Sequence, residues 1–302
     1  MQTKQLETQL LKYDLKRDYP AKELTNFHVG GPCDFVVYPK TADEISEIVA
    51  LARTNDIPIF VMCRGTNLLV SDKGIRGIVI KLTDNYSGIR LIDEITVEAD
   101  TGALLSGVAD FALENSLGGF EFACGIPGGI GGAITMNAGA YDGNMQDVVS
   151  DVTAIDQNGN TVTLTNSQMD FAYRHSAIEE QGLIALSARI KLHKADPESI
   201  KEKMDDLMFK RVSKQPLTAY SAGSTFKRPD GHFASKLIED SGLKGLVMGN
   251  VAVSSMHSGF VINTGSAGCK EVLDMIEFIK QVVGNKFGVK LEEEVKIVGD
   301  FS

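Results

Sequence analysis

The chain has no excess of positive charge, no paired-cysteine motif, no long apolar run and no internal repeat. Each absence removes a class of function. Thirty Lys and Arg face forty Asp and Glu, for a net charge of -10. A nucleic-acid-binding surface normally needs clustered basic residues, so the balance argues against one, while leaving room for a local basic pocket that takes a small anion. The four cysteines, Cys33, Cys63, Cys124 and Cys269, form no C-x-x-C pair. Reduced, buried thiols are therefore expected rather than a metal or redox centre. None of the five histidines (28, 175, 193, 232 and 257) stands at a metal-ligand spacing, and no Ser/His/Asp set can be assembled from spacing. Residues 1–20 carry Lys and Glu throughout, which predicts neither a secretory signal nor an anchor. No apolar run approaches the ~18 residues needed to cross a bilayer. The expected address is the cytoplasm, with neither membrane nor nucleic acid as partner.

What is present reads as two or three globular units. A chain of 302 residues with 43% hydrophobic and 23% charged residues can bury most of its apolar surface without covalent staples. The stretch up to about residue 18 reads as a short amphipathic helix with Leu6, Leu10 and Leu11 on one side. A strand at 35–38 stops at Pro39. Thr41 and Glu44 then form a capping box for a helix that turns Ile45, Ile48, Val49 and Ala52 inward. Strands at 59–62, 68–70 and 78–80 complete a β-α-β-β unit. A strand at 95–99 and a helix at 104–115 follow. Asn158-Gly159, between alternating segments at 152–155 and 161–164, is a hairpin signal, and a long strand covers 183–192. Asp196-Pro197 is an N-cap with proline at the first helical position, opening a helix to about 213. Beyond it come a helix at 234–240 stopped by Gly242, strands near Val251 and Phe260, an amphipathic helix at 269–283 and a strand at 295–298. The predicted domains are 1–85, 86–213 and 214–302, with the last strand packing back on the first.

The densest chemical signal is Gly125-Ile126-Pro127-Gly128-Gly129-Ile130-Gly131-Gly132-Ala133. It fails the dinucleotide fingerprint, because Gly129-x-Gly131 needs Gly or Ala at position 134, which is Ile. No Lys-Ser/Thr follows, so it is not a phosphate-binding Walker loop either. Two readings stand level. The glycines admit a close anion at the start of a helix beginning near Ala133, or they permit a tight core crossing. Arg64-Gly65-Thr66-Asn67 is a second polar, glycine-bearing turn, and alone it is more often a plain turn. Arg174, in Tyr173-Arg174-His175, is either a solvated charge or a fixed cation for a carboxylate or enolate. Ser224, in Ala222-Gly223-Ser224-Thr225, is either a turn hydroxyl or a positioned proton donor. Glu292, Glu293 and Glu294 read as a solvated strand end, or as the source of one buried carboxylate with a raised pKa.

Together these motifs resemble the UDP-N-acetylenolpyruvoylglucosamine reductase family along nearly the whole chain, in its compact form. The carriers are Val29-Gly30-Gly31-Pro32, Thr66-Asn67-Leu68, Gly125-Ile126-Pro127-Gly128, Met136-Asn137-Ala138-Gly139-Ala140-Tyr141, Tyr173-Arg174, Ser213-Lys214-Gln215-Pro216, Ala222-Gly223-Ser224 and the segment 291–295. The resemblance implies an α+β protein. It would have a PCMH-type FAD-binding fold of two α/β subdomains and a smaller α/β substrate-binding domain. It implies FAD and NADPH as cofactors, and a nucleotide-sugar enolpyruvate as substrate in peptidoglycan synthesis. The expected protein is a monomer.

Carried over by position, Arg174, Ser224 and Glu294 are the catalytic residues. Arg64, Gly65, Thr66, Asn67, Leu68, Gly125, Pro127, Gly128, Gly129, Gly131, Gly132, Asn137, Ala138 and Gly139 would line FAD. Lys214 and Tyr141 would touch the substrate. The sequence departs from the family pattern at Cys63-Arg64, Gly129, Val247, Asn250 and Met256. Gly129 stands where a small or hydroxyl residue is usual, so the loop is expected to grip the diphosphate mainly through its backbone. The alternatives are another PCMH-type FAD oxidoreductase, with FAD tethered through His28 or Cys124, and a nucleotide-sugar-binding protein without catalysis.

Overall fold

The computed structural model describes residues 2–302, with side chains from Leu6 onward. The chain divides into two compact units. The first comprises Met1–Lys16, Phe35–Arg64 and Gly77–Arg211, and the second Arg17–Asp34, Gly65–Arg76 and Val212–Ser302.

The first unit holds one whole sheet and the greater part of another. A four-stranded sheet runs in the order Asp14–Pro20, Pro32–Tyr38, Ile75–Lys81, Ile59–Met62. Ile59–Met62 lies parallel to Ile75–Lys81, from Ile59 opposite Ile78 to Met62 opposite Lys81. Parallel neighbours need a crossover, here residues 63–74, which pass through the strand Leu68–Val70. The Ala42–Thr54 helix precedes Ile59–Met62 and buries Ile45, Ile48, Val49 and Ala52 in a cluster with Phe35, Val37, Ile78 and Ile80. Thr41 caps that helix by accepting the Glu44 N–H at 3.1 Å, while the Glu44 carboxylate reaches the Lys40 N–H.

The second sheet of this unit is antiparallel throughout, in the order Thr161–Thr165, Val149–Ile155, Ile184–Lys191, Thr96–Asp100, Ile89–Leu91. Asp156 closes its hairpin by accepting the Asn158 and Asn160 N–H groups. The Leu105–Glu114 helix packs Leu105, Val108, Ala109 and Ala112 into one cluster with Val97, Ala99, Val152 and Ile190. Fully burying a side chain the size of Leu105 or Val108 stabilises the fold by about 1.5–3 kcal/mol.

In the second unit the strands Val247–Met248, Val251–Val253 and Val261–Asn263 form an antiparallel sheet. The Cys269–Phe287 helix buries Val272, Met275, Ile276, Ile279 and Val283 in a cluster with Val251, Val253 and Val261. Its first turn is capped from far along the chain. The Asp72 carboxylate accepts the Cys269 N–H at 2.7 Å and the Lys270 N–H at 3.2 Å. A carboxylate there suits both the orphan donors and the positive end of the helix dipole.

Two expectations change. The N-terminal helix ends at Leu10, and Asp14–Pro20 is a strand. Leu6 and Leu10 are buried as expected, but Leu11 faces solvent. The residues that read as the polar side of a helix belong to a charged edge strand. Second, Leu68–Val70 does not join the sheet of its sequence neighbours. It pairs in parallel with Lys296–Val298, Leu68 opposite Lys296.

Among the described residues, no helix is long and apolar enough to cross a membrane.

Candidate functional site

In the first unit the glycine run opens a short helix, Ile130–Thr135, with Gly129 at its N-cap. The two readings of these glycines divide residue by residue. A Cβ on Gly131 would lie 2.9 Å from both Cys63 Sγ and Thr101 Cβ, so this glycine is needed for packing. A Cβ on Gly132 would meet nothing within 4 Å. Gly128 sits at φ 140°, a conformation that side chains rarely adopt. The helix start does not aim its first amides at an anion. The Ile130 N–H is bonded to Ala103 O and the Gly131 N–H to Thr101 O, each at 2.9 Å. Cys63 forms the floor, donating its thiol to Thr101 O at 3.3 Å, and burial raises its pKa.

Beside Gly125 lies a residue that the sequence reading passed over. Arg211 is buried, and its Cδ and Nε would sit 3.1 and 3.2 Å from a Cβ on Gly125. Desolvation lowers its pKa, opposed by interactions with Tyr141 and Cys124, neither of them a carboxylate. Its Nε has no hydrogen-bond partner among the described residues, and the same holds for Thr101 Oγ1 and Arg64 Nε. Leaving such atoms unpaired is costly. Their presence around the glycine run and at Arg64 suits an oxygen-rich anion such as a dinucleotide diphosphate. A signal for Arg211 existed in the sequence. In the Pro197–Val212 helix it stands on the stripe of Ile200, Met204 and Leu207, at spacings of three and four.

Arg174 and Asn137 meet at a tight turn. Ala172 and His175 exchange both backbone hydrogen bonds, each at 3.2 Å, and place Arg174 at φ 57°. The Arg174 guanidinium lies over the Tyr173 ring, 4.8 Å from its centre, a cation–π contact. His175 Nε2 is 3.7 Å from carboxylate oxygens of both Asp170 and Glu180. Asn137, buried at φ 41°, donates Nδ2–H to Ala172 O at 3.0 Å and accepts the Gln146 N–H at 2.9 Å. Ala138 and Gly139 follow it, half-buried. Tyr141 is exposed and donates its hydroxyl to Leu207 O at 3.1 Å. Arg64 is ion-paired with Asp84. Cys124 is buried, with its thiol 3.7 Å from Met204 O.

In the second unit, backbone pairing brings Ser224 and Glu294 onto adjacent segments. The Glu294 N–H donates to Thr225 O at 2.8 Å, and Phe226 bridges Glu293. Asn67 joins them by donating Nδ2–H to Glu294 O at 3.1 Å. Gly65 holds φ 67°, and its backbone O accepts the Asn26 N–H. Thr66 and Leu68 are half-buried, while Lys214 is exposed. His28 stacks on Tyr220 at 4.0 Å between ring centres. None of the three glutamates is fully buried. Burial works to raise the Glu293 carboxyl, but hydrogen bonds from Lys280 at 2.9 Å and from its own N–H outweigh it, and its pKa is lowered. A raised carboxylate is therefore not found at Glu293.

Sequence comparison decides the family. A protein of Clostridioides difficile named UDP-N-acetylenolpyruvoylglucosamine reductase is 48% identical over 96% of this chain and 95% of its own length. This chain belongs to that reductase family. A namesake from Caldanaerobacter subterraneus is 50% identical over 93% of this chain and 92% of its own. Two family profiles also match, one described as an FAD binding domain over residues 33–165 and one as the reductase's C-terminal domain over 215–298. The crystal structure of the enzyme from Thermus caldophilus aligns with a TM-score of 0.80 at 30% identity, covering 94% of this chain and 98% of that one. The fold is thus the α+β, PCMH-type arrangement of that family.

Proposed function

We propose that this chain reduces the enolpyruvyl double bond of UDP-N-acetylglucosamine enolpyruvate to give UDP-N-acetylmuramate, in the cytoplasmic synthesis of peptidoglycan precursors. It would use resident FAD, reduced by NADPH. The observation that carries the reading is the near-full-length similarity to reductases of that name, in a chain that keeps Arg174, Ser224 and Glu294.

The residues present suit FAD. Arg211 and Thr101 offer unpaired buried donors beside the glycine run, and Gly132 leaves space there. These groups, with Gly125, Pro127, Gly128 and Gly129, would hold the diphosphate, so side chains share the grip with the backbone. Asn67 and its turn would hold a further part of the dinucleotide. When bound, FAD supplies hydride to the terminal carbon of the enolpyruvyl group.

The chain's own residues manage charge and protons. Arg174 carries a permanent positive charge, and its fork of donors matches a carboxylate. It would stabilise the negative charge that builds on the substrate's carboxylate and adjacent carbon, with Glu294 assisting by hydrogen bonding. Ser224 would then deliver a proton from Oγ to that carbon. Lys214 would contact the nucleotide sugar, and Tyr141 would present its exposed ring to the same ligand.

The test begins with the visible spectrum of the purified protein and acid precipitation. Flavin should be present and pass into the supernatant. Under anaerobic conditions NADPH should bleach it, and the enolpyruvyl nucleotide should restore its colour. A colourless protein that takes up no flavin would defeat the proposal. Flavin retained in the pellet would favour an oxidase with tethered FAD.

A further inference from the structure

We propose that Asn137 and Ser176 are positioning residues for Arg174, clamping from both sides the turn that carries it. The inference rests on the reading that Arg174 stabilises the reacting carboxylate. An arginine at φ 57° occupies a left-handed conformation that L-residues with a Cβ disfavour. The surrounding structure must hold it there. Two side chains do so. Asn137 donates Nδ2–H to Ala172 O at 3.0 Å, at the first residue of the turn. Ser176, immediately after the turn, is buried and donates its hydroxyl to Thr135 O at 3.0 Å. Thr135 ends the Ile130–Thr135 helix, and Asn137 lies two residues beyond it. One short segment therefore grips the turn at both ends.

Resemblance to the family places Asn137 on FAD, but the geometry points elsewhere. Its side chain already donates to Ala172 and accepts from Gln146, and its own φ of 41° is one that asparagine tolerates well. The site is thus linked to the glycine run through the helix that run begins. Asn137 sets where Arg174 stands and does not touch the reacting atoms.

The test uses the FAD-loaded enzyme and three readouts: FAD affinity by fluorescence titration, bleaching by NADPH, and recolouring by the enolpyruvyl nucleotide in single-turnover mixing. Asn137→Asp keeps the acceptor for Gln146 but sets an oxygen against Ala172 O. It should slow recolouring about tenfold or more, since small misplacements of a catalytic group are expensive. FAD affinity and bleaching should stay within about twofold. Ser176→Ala, a one-atom deletion on the other side, should act in the same direction and serves if Asn137→Asp does not fold. In an Arg174→Met background neither substitution should slow recolouring further, because residues acting through one group are not additive. Equal slowing in both backgrounds, or a loss of FAD affinity in place of slower recolouring, would overturn the positioning role while sparing that of Arg174. A wild-type rate in Arg174→Met alone would remove both.

Discussion

The Arg174 turn and the Ser224–Glu294 pair achieve placement by different means. Arg174 stands on a four-residue turn that the Ala172–His175 backbone pair closes but that side chains fix in place, with Asn137 and Ser176 each contributing one hydrogen bond. Ser224 and Glu294 lie on segments held through the main chain, where Thr225 O takes the Glu294 N–H and Phe226 bridges Glu293. Main-chain pairing survives most substitutions nearby, whereas a side-chain clamp fails with one atom. The first arrangement therefore exposes the position of its functional group to mutation, and the second protects it. The arginine, at φ 57°, also stores backbone strain.

The largest expected effect lies on the protected side and removes the functional group itself. Ser224→Ala should cut recolouring by the enolpyruvyl nucleotide by about 10²–10⁴-fold, the usual worth of a positioned proton donor. Bleaching by NADPH should persist. Equal loss of both half-reactions would show that Ser224 shapes the site rather than feeding it a proton. A smaller effect should follow from a neighbour. Thr225 Oγ1 accepts the buried Val261 N–H at 3.0 Å. Thr225→Val strands that donor and should cost about 1–3 kcal/mol in denaturant melts. Recolouring should nevertheless remain within about twofold of wild type, because the backbone O that takes Glu294 is untouched. A rate loss approaching that of Ser224→Ala would break the contrast.

The smallest effect belongs to the ion pair of Lys280 and Glu293, 2.9 Å apart. Lys280→Met should lower stability at neutral pH by about 0.2–1 kcal/mol. The Glu293 pKa is lowered in the folded protein. Its contribution is therefore present above the ordinary glutamate value near 4.3 and fades as pH falls through the lowered one. The Lys280 pKa is raised, chiefly by that hydrogen bond, so its share is lost at the alkaline end. Melts should show the two proteins converging as pH drops below about 4. A gap that persists there would assign the loss to packing of the lysine stem.

Helices with clear stop and start signals were legible in the sequence. Thr41 before Ala42–Thr54 and Asp196 before Pro197–Val212 both act as caps, the latter accepting the Ser199 N–H at 3.0 Å. Features that depend on distant partners were not. Leu68–Val70 reads as a member of the same unit as its sequence neighbours, and nothing local shows that it pairs with Lys296–Val298 instead of with them. Asp72 gives no local hint that it caps a helix 197 residues away. Around the glycine run, composition alone could not separate Gly131 from Gly132, because the difference lies in what stands opposite each. Arg211 was hidden by its neighbours, since Lys210-Arg211 near a helix end reads as a solvated, dipole-complementing pair. The turn of Arg174 was visible as a motif, but its clamp by Asn137 and Ser176 required coordinates.

Pairing Leu68–Val70 with Lys296–Val298 also has a consequence for how the protein is made. The first unit is complete once Arg211 has been synthesised, whereas the second takes its final strand from residues 296–298. On the ribosome, Leu68–Val70 must wait for a partner more than two hundred residues later, a long loop to close. Its edge stays open in the interval and can pair with the wrong strand. Vectorial synthesis thus gives the two units different birth times, with the late unit's nascent edge as the point where a chaperone would be most useful.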